Sequence, residues 1–282
     1  MSFHDPTCAS VGVFDSGIGG FSVLRELRRL APAESVVYLA DQAHVPYGLR
    51  PLGEVRALAE AVTRFLLCRR AKLVVVACNT ASAAALHELR RLFPETPFVG
   101  MEPAVKPAAA ITCSGTLGVI ATPATFQGEL YASVVRRFAD GRRVLQHSCP
   151  GLVAEIERGH LDGARTRRIL EAALRPMLAA GMDTVVLGCT HYPFVLPLIR
   201  EIVGPDVAVI DPAPAVARQA VRVLEQRGLR NQQTTPGRLR VFTTGRLAES
   251  AKELLGEDFK TESAAWRNGK LIARRGAAAQ RI

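Results

Sequence analysis

Two short apolar runs in this chain end in the same way, with a small residue, a cysteine and then polar side chains. Residues 74–80 read VVVACNT and residues 185–191 read VVLGCTH. A short β-branched run closed by a polar turn is typical of a buried parallel strand, whose carboxyl end lies at the ligand-binding edge of an α/β sheet. We therefore expect Cys78 and Cys189 to end two equivalent strands and to hold one ligand between two thiols.

Strand-like runs alternate with helical segments along the chain, which predicts an α/β fold with parallel central sheets flanked by helices. Strands are predicted at residues 11–14, 35–39, 72–77, 117–120, 144–147, 184–187, 207–210 and 240–242. Apolar spacing predicts helices at residues 20–30, 53–69, 81–92, 125–138, 162–180, 194–202 and 215–226.

The chain is long enough for two domains, and prolines mark where it would cross between them. At 282 residues it exceeds one core of typical size. Glu102-Pro103 opens a middle block and residues 211–214, DPAP, close it. We predict a first domain of residues 1–102 plus 212–282 and a similar second domain of residues 103–211. Cys78 and Cys189 would then face each other across an interdomain cleft, which would hold the active site.

Composition argues against nucleic-acid and membrane partners. The formal net charge is +10, but the 36 Lys and Arg residues are scattered beside 26 Asp and Glu, and aromatic residues make up only 6%. Scattered cations without interleaved aromatics favour a solvated surface. Neither the N-terminal segment nor the uncharged stretch at residues 107–128 has the layout of a signal peptide or a membrane span. We therefore expect a cytoplasmic protein.

The six cysteines are dispersed and form no CxxC pair. We expect free thiols in a reducing compartment and no metal site. Taken singly, Cys78 and Cys189 could each be a small buried apolar residue. A helix N-terminus after each strand would instead lower the pKa of the thiol and favour the reactive thiolate. His191, two residues after Cys189, is a candidate base or orienting group for that thiol, with a core histidine as the alternative.

A glycine-rich turn, residues 14–20 (FDSGIGG), follows the first predicted strand. Such turns often bind phosphate, but Asp15 at its head would repel an anion and could meet an ammonium group or steer a thiol. A cap on the following helix is the alternative for Asp15. Asn79, Thr80 and Thr190 place short donors after the two thiols, where they suit a substrate carboxylate or simply cap helices.

Three further positions are candidates with an equally plain structural alternative. Tyr47 and Gly48 lie in a loop after the second strand, where they could offer a hydroxyl and a free amide or form a turn. Thr122 follows another strand end and could add a hydroxyl to the cleft or cap a helix. Glu157 and Glu155 lie on a predicted helix, where acids usually face solvent.

Six motifs in order carry a resemblance to a known family. They are residues 14–20 (FDSGIGG), 46–48 (PYG), 76–82 (VACNTAS), 102–104 (EPA), 121–125 (ATPAT) and 188–193 (GCTHYP). In this order they are similar to the motifs of the aspartate/glutamate racemase family, and within it to the cofactor-independent enzymes that act on glutamate. The resemblance runs from about residue 11 to 214, with a weaker continuation at residues 241–245.

The resemblance implies a two-thiol reaction. One thiolate takes the Cα proton from one face of the substrate and the other thiol supplies a proton to the opposite face. It implies that Cys78 acts on the D-isomer with help from Asp15, and that Cys189 acts on the L-isomer with help from His191 and Glu157. The family usually shows two acids before the glycine and this chain has Arg158 second, so Glu155 is the fallback for Glu157. The implied substrate-binding residues are Asp15, Ser16, Tyr47, Gly48, Asn79, Thr80, Thr122, Thr190 and His191.

The resemblance also implies no cofactor, and none of the five lysines lies in a context suited to a pyridoxal Schiff base. The expected partner is the substrate glutamate, and the product D-glutamate is expected to supply peptidoglycan synthesis. A homodimer is left open. Two alternatives remain: an aspartate or hydantoin racemase of the same superfamily, and a non-catalytic binding protein for a metal or a nucleic acid.

Overall fold

A computed structural model describes residues 6–273, which contain two β-sheets. The strands of the first sheet are β1 (Ser10–Asp15), β2 (Val36–Ala40), β3 (Ala71–Val76), β4 (Phe98–Gly100), β9 (Leu239–Thr243), β10 (Thr261–Arg267) and β11 (Lys270–Ala273). The strands of the second sheet are β5 (Thr116–Ala121), β6 (Arg143–Ser148), β7 (Thr184–Gly188) and β8 (Ala208–Ile210).

The seven-stranded sheet has the order β11-β10-β9-β2-β1-β3-β4. Its neighbouring strands run parallel except for the β10–β11 hairpin. The chain passes from β1 to β2 on one side and then to β3 on the other, so the strand order reverses at β1. Ligands of open α/β sheets bind at the carboxyl ends of the strands at such a reversal. The four-stranded sheet has the order β6-β5-β7-β8 and is entirely parallel.

Eleven α-helices connect the strands within residues 6–273. They are α1 (Phe21–Leu30), α2 (Leu52–Leu67), α3 (Asn79–Leu92), α4 (Val105–Ile111), α5 (Pro123–Gln127), α6 (Glu129–Phe138), α7 (Leu152–Glu157), α8 (Ala164–Ala179), α9 (Leu196–Val203), α10 (Ala213–Gln226) and α11 (Ala251–Leu255). None of these helices combines the length and the apolar composition needed to cross a membrane.

The central strands form because their side chains are apolar on both faces. Residues 11–15 of β1, all of β2 and residues 72–76 of β3 are buried, as expected for a parallel sheet covered on both sides by helices. One apolar cluster continues from the seven-stranded sheet (Val13) to the four-stranded sheet (Val185). Helix α10 follows β8 of the four-stranded sheet and packs against α1, which follows β1 of the seven-stranded sheet. Each sheet, together with the loops and helices that directly follow its strands, is called a unit below.

The predicted α/β class with parallel sheets is confirmed, and several element predictions need correction. The helix predicted at residues 125–138 is two helices, α5 and α6, separated at Gly128. A Cβ at Gly128 would lie only 2.6 Å from the Cβ of Ala83, so the chain bends where it approaches α3 most closely. Helix α9 begins at Leu196 because a 3₁₀ turn, Tyr192–Val195, precedes it.

The prediction omitted β4, α4, α11, β10 and β11. β4 has three residues, and α4 and α11 are short. The hairpin of β10 and β11 carries few β-branched residues, so its apolar pattern is weak. The two units also differ more than predicted, since one sheet has seven strands and the other four.

Candidate active site

The candidate residues gather at the carboxyl ends of three strands. Asp15 is the last residue of β1, Cys78 follows the neighbouring strand β3 by two residues, and Cys189 directly follows β7 of the other sheet. The two thiols therefore come from different sheets. Both are nearly inaccessible, with 4% of Cys78 and 6% of Cys189 exposed.

The Cys78 thiol lies at the N-terminus of α3, where Sγ accepts a hydrogen bond from the backbone N–H of Ala81 at 3.5 Å. The sequence predicted that this position would lower the pKa of the thiol, and that prediction is wrong. Burial raises the pKa of Cys78 well above its ordinary value, and the negative charge of Asp15 raises it further. The amide of Ala81 lowers it by less than burial and Asp15 raise it. Without a ligand, this thiol is held in its neutral form.

Asp15 is fully buried beside this thiol. Its Oδ2 accepts hydrogen bonds from the backbone N–H of Gly20 at 3.0 Å and of Gly17 at 3.4 Å, so the carboxylate also organises the turn before α1. Its Oδ1 has no standard hydrogen-bond partner among the described residues. Burial raises the pKa of Asp15, and the charge of His191 only partly offsets this.

Cys189 is the first member of a chain of three side chains. Its Sγ lies 3.8 Å from Nδ1 of His191, and Nε2 of the same ring lies 2.6 Å from Oε1 of Glu157. Burial alone would lower the pKa of His191, but the contacts with Cys189 and Glu157 outweigh it and raise that pKa well above its ordinary value. Burial would likewise raise the pKa of Glu157, but hydrogen bonds and the charge of His191 leave it lowered. The pair is therefore an imidazolium held by a carboxylate.

Glu155 is on the same helix but faces away from this chain. Its buried carboxylate contacts three exposed basic side chains: Arg158 at 3.1 Å, His160 at 3.0 Å and Arg165 at 3.4 Å. Of the two candidate acids, only Glu157 touches His191 in the described residues.

The two thiols lie in one electrostatic neighbourhood. A negative charge on Cys189 contributes to the raised pKa of Cys78, after the larger effects of burial and Asp15. Packing also links the two segments that carry the thiols. A Cβ at Gly19 would lie 2.4 Å from Nδ1 of His191, and a Cβ at the adjacent Gly20 would lie 3.2 Å from the Cβ of Ala77, the residue before Cys78. The turn after β1 therefore packs against both segments.

The polar candidates divide into partnered and unpartnered groups. Both side-chain atoms of Asn79 are buried without a hydrogen-bond partner among the described residues. An unpaired buried amide is costly, so Asn79 is a candidate to bind a ligand. Ser16, Gly48 and Thr190 are also buried. The carbonyl of Thr190 accepts a hydrogen bond from Ser22 Oγ at 3.1 Å.

Three threonine hydroxyls join the two units. Thr80 Oγ1 at the start of α3 lies 2.9 Å from Thr122 Oγ1 and 3.3 Å from Thr125 Oγ1. Thr122 also caps α5, which confirms the helix-cap alternative for this residue. Thr80 and Thr190 do not act as the helix caps considered as alternatives. Cys78 occupies the N-cap of α3, and His191 occupies the N-cap of the 3₁₀ turn that follows Thr190.

Tyr47 is buried in the same apolar cluster as Cys78. Its hydroxyl donates a hydrogen bond to Asp41 Oδ2 at 2.7 Å, a partner that the sequence did not predict. Asp41 is fully buried and also accepts from Thr244 and Trp266. The adjacent Gly48 lies so close to Thr122 that a Cβ there would overlap it.

Sequence reasoning missed Asp41, Gln42 and Ser22. Gln42 donates from Nε2 to Glu157 Oε2 at 2.7 Å, across the gap between the two units. Asp41 and Gln42 directly follow strand β2, and polar residues after a parallel strand were the one available signal. In residues 6–273 we find no cluster of three or more His, Cys, Asp or Glu side chains arranged to hold a metal ion. All six cysteines are unpaired thiols.

Comparison with known proteins identifies the family of this chain. A profile of the Asp/Glu/hydantoin racemase family matches residues 11–220, and the chain belongs to this family. It is 54% identical over 242 residues to a glutamate racemase of Roseiflexus sp. (strain RS-1), which covers 86% of this chain and 89% of that protein.

Solved structures place the chain in the same group. The fold is similar to a crystal structure of a glutamate racemase isoform from Bacillus anthracis, with a TM-score of 0.83, 32% identity and coverage of 95% of this chain and 100% of that one. It is also similar to glutamate racemase from Francisella tularensis in complex with D-glutamate, with a TM-score of 0.81, 26% identity and coverage of 93% and 98%.

Proposed function

We propose that this protein interconverts L-glutamate and D-glutamate, with Cys78 and Cys189 as the two acid/base groups. The observation that carries the proposal is that these buried thiols end strands of two different sheets, while the turn after β1 packs against both segments that carry them. Inversion at Cα needs a base on one face and an acid on the other, and one side chain cannot easily reach both. Thiols contributed by opposite units satisfy this requirement.

On the Cys78 side, Asp15 is the assisting base. Burial raises the pKa of Asp15, so this carboxylate is a stronger base than an exposed one, and it lies beside the Cys78 thiol. We assign Cys78 to the Cα proton of D-glutamate.

On the Cys189 side, His191 and Glu157 are the assisting pair. A protonated ring 3.8 Å from Sγ stabilises a negatively charged sulfur, and Glu157 keeps the ring charged and oriented. We assign Cys189 to the Cα proton of L-glutamate.

The substrate carboxylates and ammonium group bind to the remaining polar candidates. The unpartnered amide of Asn79 offers two donors and an acceptor, and Thr80 and Thr190 lie at the same two strand ends. We propose that Ser16, Gly48 and Thr122, with the loop carrying Tyr47, complete the binding site. Exclusion of water strengthens all of these contacts, which matters because the Cα–H of a free amino acid is only weakly acidic.

We propose that the two sheets are the cores of two domains, residues 1–102 plus 212–282 and residues 103–211. Residues 1–5 and 274–282 of the first domain lie outside the described part of the chain. Contacts across the gap, such as those between Thr80 and Thr122, would break when the domains open to admit substrate.

The two-thiol reaction needs neither a cofactor nor a metal, and we propose that none takes part. We also propose that the product D-glutamate serves peptidoglycan synthesis in the bacterial cytoplasm. The relatives described above are all named glutamate racemases, which favours glutamate over aspartate and hydantoins as the substrate.

A substrate panel in D₂O tests this proposal. The purified protein, without added cofactor or metal, is incubated separately with each isomer of glutamate and aspartate and with a hydantoin. Optical activity and Cα deuterium content are then followed together. We expect inversion and deuterium incorporation with both glutamate isomers. Faster exchange of aspartate or a hydantoin would contradict the substrate assignment, and loss of activity on treatment with hydroxylamine would contradict the cofactor assignment.

A further inference from the structure

The carboxylate of Glu157 receives three hydrogen bonds, and two of them come from the opposite unit. His191 approaches Oε1 from its own unit at 2.6 Å. The backbone N–H of Ile18, in the turn after β1, donates to the same oxygen at 2.9 Å, and Gln42, after β2, donates to Oε2 at 2.7 Å.

From this arrangement we infer that Gln42 is a positioning residue for the second thiol: it fixes the Glu157 carboxylate across the gap, so that Glu157 orients His191 towards Cys189. Gln42 touches neither thiol, so it acts only through Glu157. The inference rests on the proposed function, since it assigns a role within the same reaction.

Close packing and hydrogen bonds to the neighbouring residues restrict the position of the Gln42 side chain. A Cβ at Gly17 would overlap Oε1 of Glu157 and would lie 3.1 Å from Nε2 of Gln42, so these groups are packed together with no room for another side chain. The neighbouring Asp41 is anchored by Thr244 at 2.8 Å and by Trp266 at 2.7 Å. The loop that carries Gln42 is therefore tied to the C-terminal strands of the sheet.

The hydrogen bonds to Glu157 link the approach of the two units to the orientation of the side chains that support Cys189. Ile18 and Gln42 belong to the seven-stranded unit, whereas Glu157, His191 and Cys189 belong to the four-stranded unit. When the units separate, Glu157 loses both donors from the opposite side and keeps only His191. The chain that supports Cys189 is thus complete only in the closed protein.

The test replaces Gln42 with methionine, which keeps the length of the side chain and removes the donor. L- and D-glutamate are enantiomers of equal free energy, so the equilibrium constant between them is one. The kcat/KM values for the two isomers are therefore equal in any variant, and they must fall together. We expect a fall of about 10-fold to 100-fold, the range for losing a hydrogen bond to a charged group. The primary isotope effect on kcat/KM is free to differ between [2-²H]-L-glutamate and [2-²H]-D-glutamate.

If Gln42 serves Cys189 alone, proton transfer at Cys189 becomes limiting in both directions. The isotope effect should then increase for the L-isomer, whose Cα–H bond Cys189 breaks, and decrease towards one for the D-isomer, whose Cα–H bond Cys78 breaks. Gln42→Glu, which faces Glu157 with a second carboxylate, should cause a larger loss than Gln42→Met. Gln226→Met, at an exposed glutamine that ends α10, is the matched control and should leave all values unchanged.

Two results would overturn the inference alone: an active wild-type protein whose rate is unchanged by Gln42→Met, or a lower rate in which both isotope effects change alike. The second result would show a general structural disturbance. A wild-type protein that does not racemise glutamate would overturn the proposed function and this inference with it.

Discussion

Glu157 and His191 are 34 residues apart in the chain, and their side chains meet at 2.6 Å between Oε1 and Nε2. The contact joins the end of α7 to the segment after β7, and Cys189 lies at its far end. It also distinguishes Glu157, the acid preferred from the sequence, from the fallback Glu155, whose carboxylate contacts Arg158 and His160 instead.

Glu157→Gln should lower kcat for glutamate racemisation by about 10-fold to 100-fold, because a charged hydrogen bond is replaced by a neutral one. The pKa of His191 should fall, since burial favours the neutral ring once the carboxylate charge is gone. Glu155→Gln is the matched control and should stay within about twofold of wild-type activity, because Glu155 contacts Arg158, His160 and Arg165 instead of His191. Equal losses in the two variants would contradict the assignment of Glu157.

Gly17→Ala should disable the same chain from the opposite unit. Its new Cβ would overlap Oε1 of Glu157, so the carboxylate must move away from His191 or the units must stay apart. We expect kcat/KM to fall by about tenfold or more, as for loss of a charged hydrogen bond. Gly53→Ala, in the first turn of α2 with no atom within 4 Å of the added Cβ, should keep full activity. A fully active Gly17→Ala variant would show that the closed arrangement is not the reactive one.

Lys72 and Glu34 form a buried ion pair, with Nζ of Lys72 2.7 Å from Oε2 of Glu34. Only 3% of the Lys72 side chain and 1% of the Glu34 side chain are exposed. Lys72→Met would leave the Glu34 charge buried without compensation and should lower the free energy of unfolding by about 3–5 kcal/mol. The double variant Lys72→Met/Glu34→Gln should recover part of this loss. Urea unfolding measures both, and a double variant less stable than Lys72→Met would contradict the explanation.

Asp183 should give the fold a distinct dependence on acid pH. Burial would raise its pKa, but hydrogen bonds from Thr112, Ser114, Cys113 and Thr184 lower it to about 2. Because the folded protein lowers this pKa, ionised Asp183 stabilises the fold at pH values above 3.8, the ordinary pKa of an aspartate. That stabilisation is lost as the pH falls from 3.8 through about 2.

We therefore expect Asp183→Asn to be less stable than wild type at pH 7, by roughly 1–3 kcal/mol for the lost hydrogen bonds. The difference should narrow as the pH approaches 2. Urea unfolding of both proteins at several pH values measures this. A difference that stays constant with pH would mean that Asp183 is not the titrating group.

Much of the fold follows from local pattern. The buried runs around Val13, Val75 and Val186 are apolar on both faces and identify central parallel strands, and the cysteines that follow two of them locate the site. Short elements such as β4 and the hairpin of β10 and β11 depend on tertiary contacts and have no comparable signal.

The candidate site was predictable at the strand ends and not beyond them. Gln42 matters because β2 and α7 meet in space, which no sequence interval reveals. The pKa of Cys78 was predicted in the wrong direction because a helix N-terminus is visible in the sequence, whereas full burial beside Asp15 is not.

The most direct measurement compares racemisation by Cys78→Ala, Cys189→Ala and Cys149→Ala, each checked for folding by circular dichroism. Removing one acid/base group should lower turnover of both glutamate isomers by about 100-fold to 10,000-fold. Cys149 is buried to the same extent, with 5% exposed, but has no role in the proposed reaction, so its variant should remain active. If Cys78→Ala or Cys189→Ala turned over both isomers at nearly the wild-type rate, the two-thiol mechanism would be contradicted.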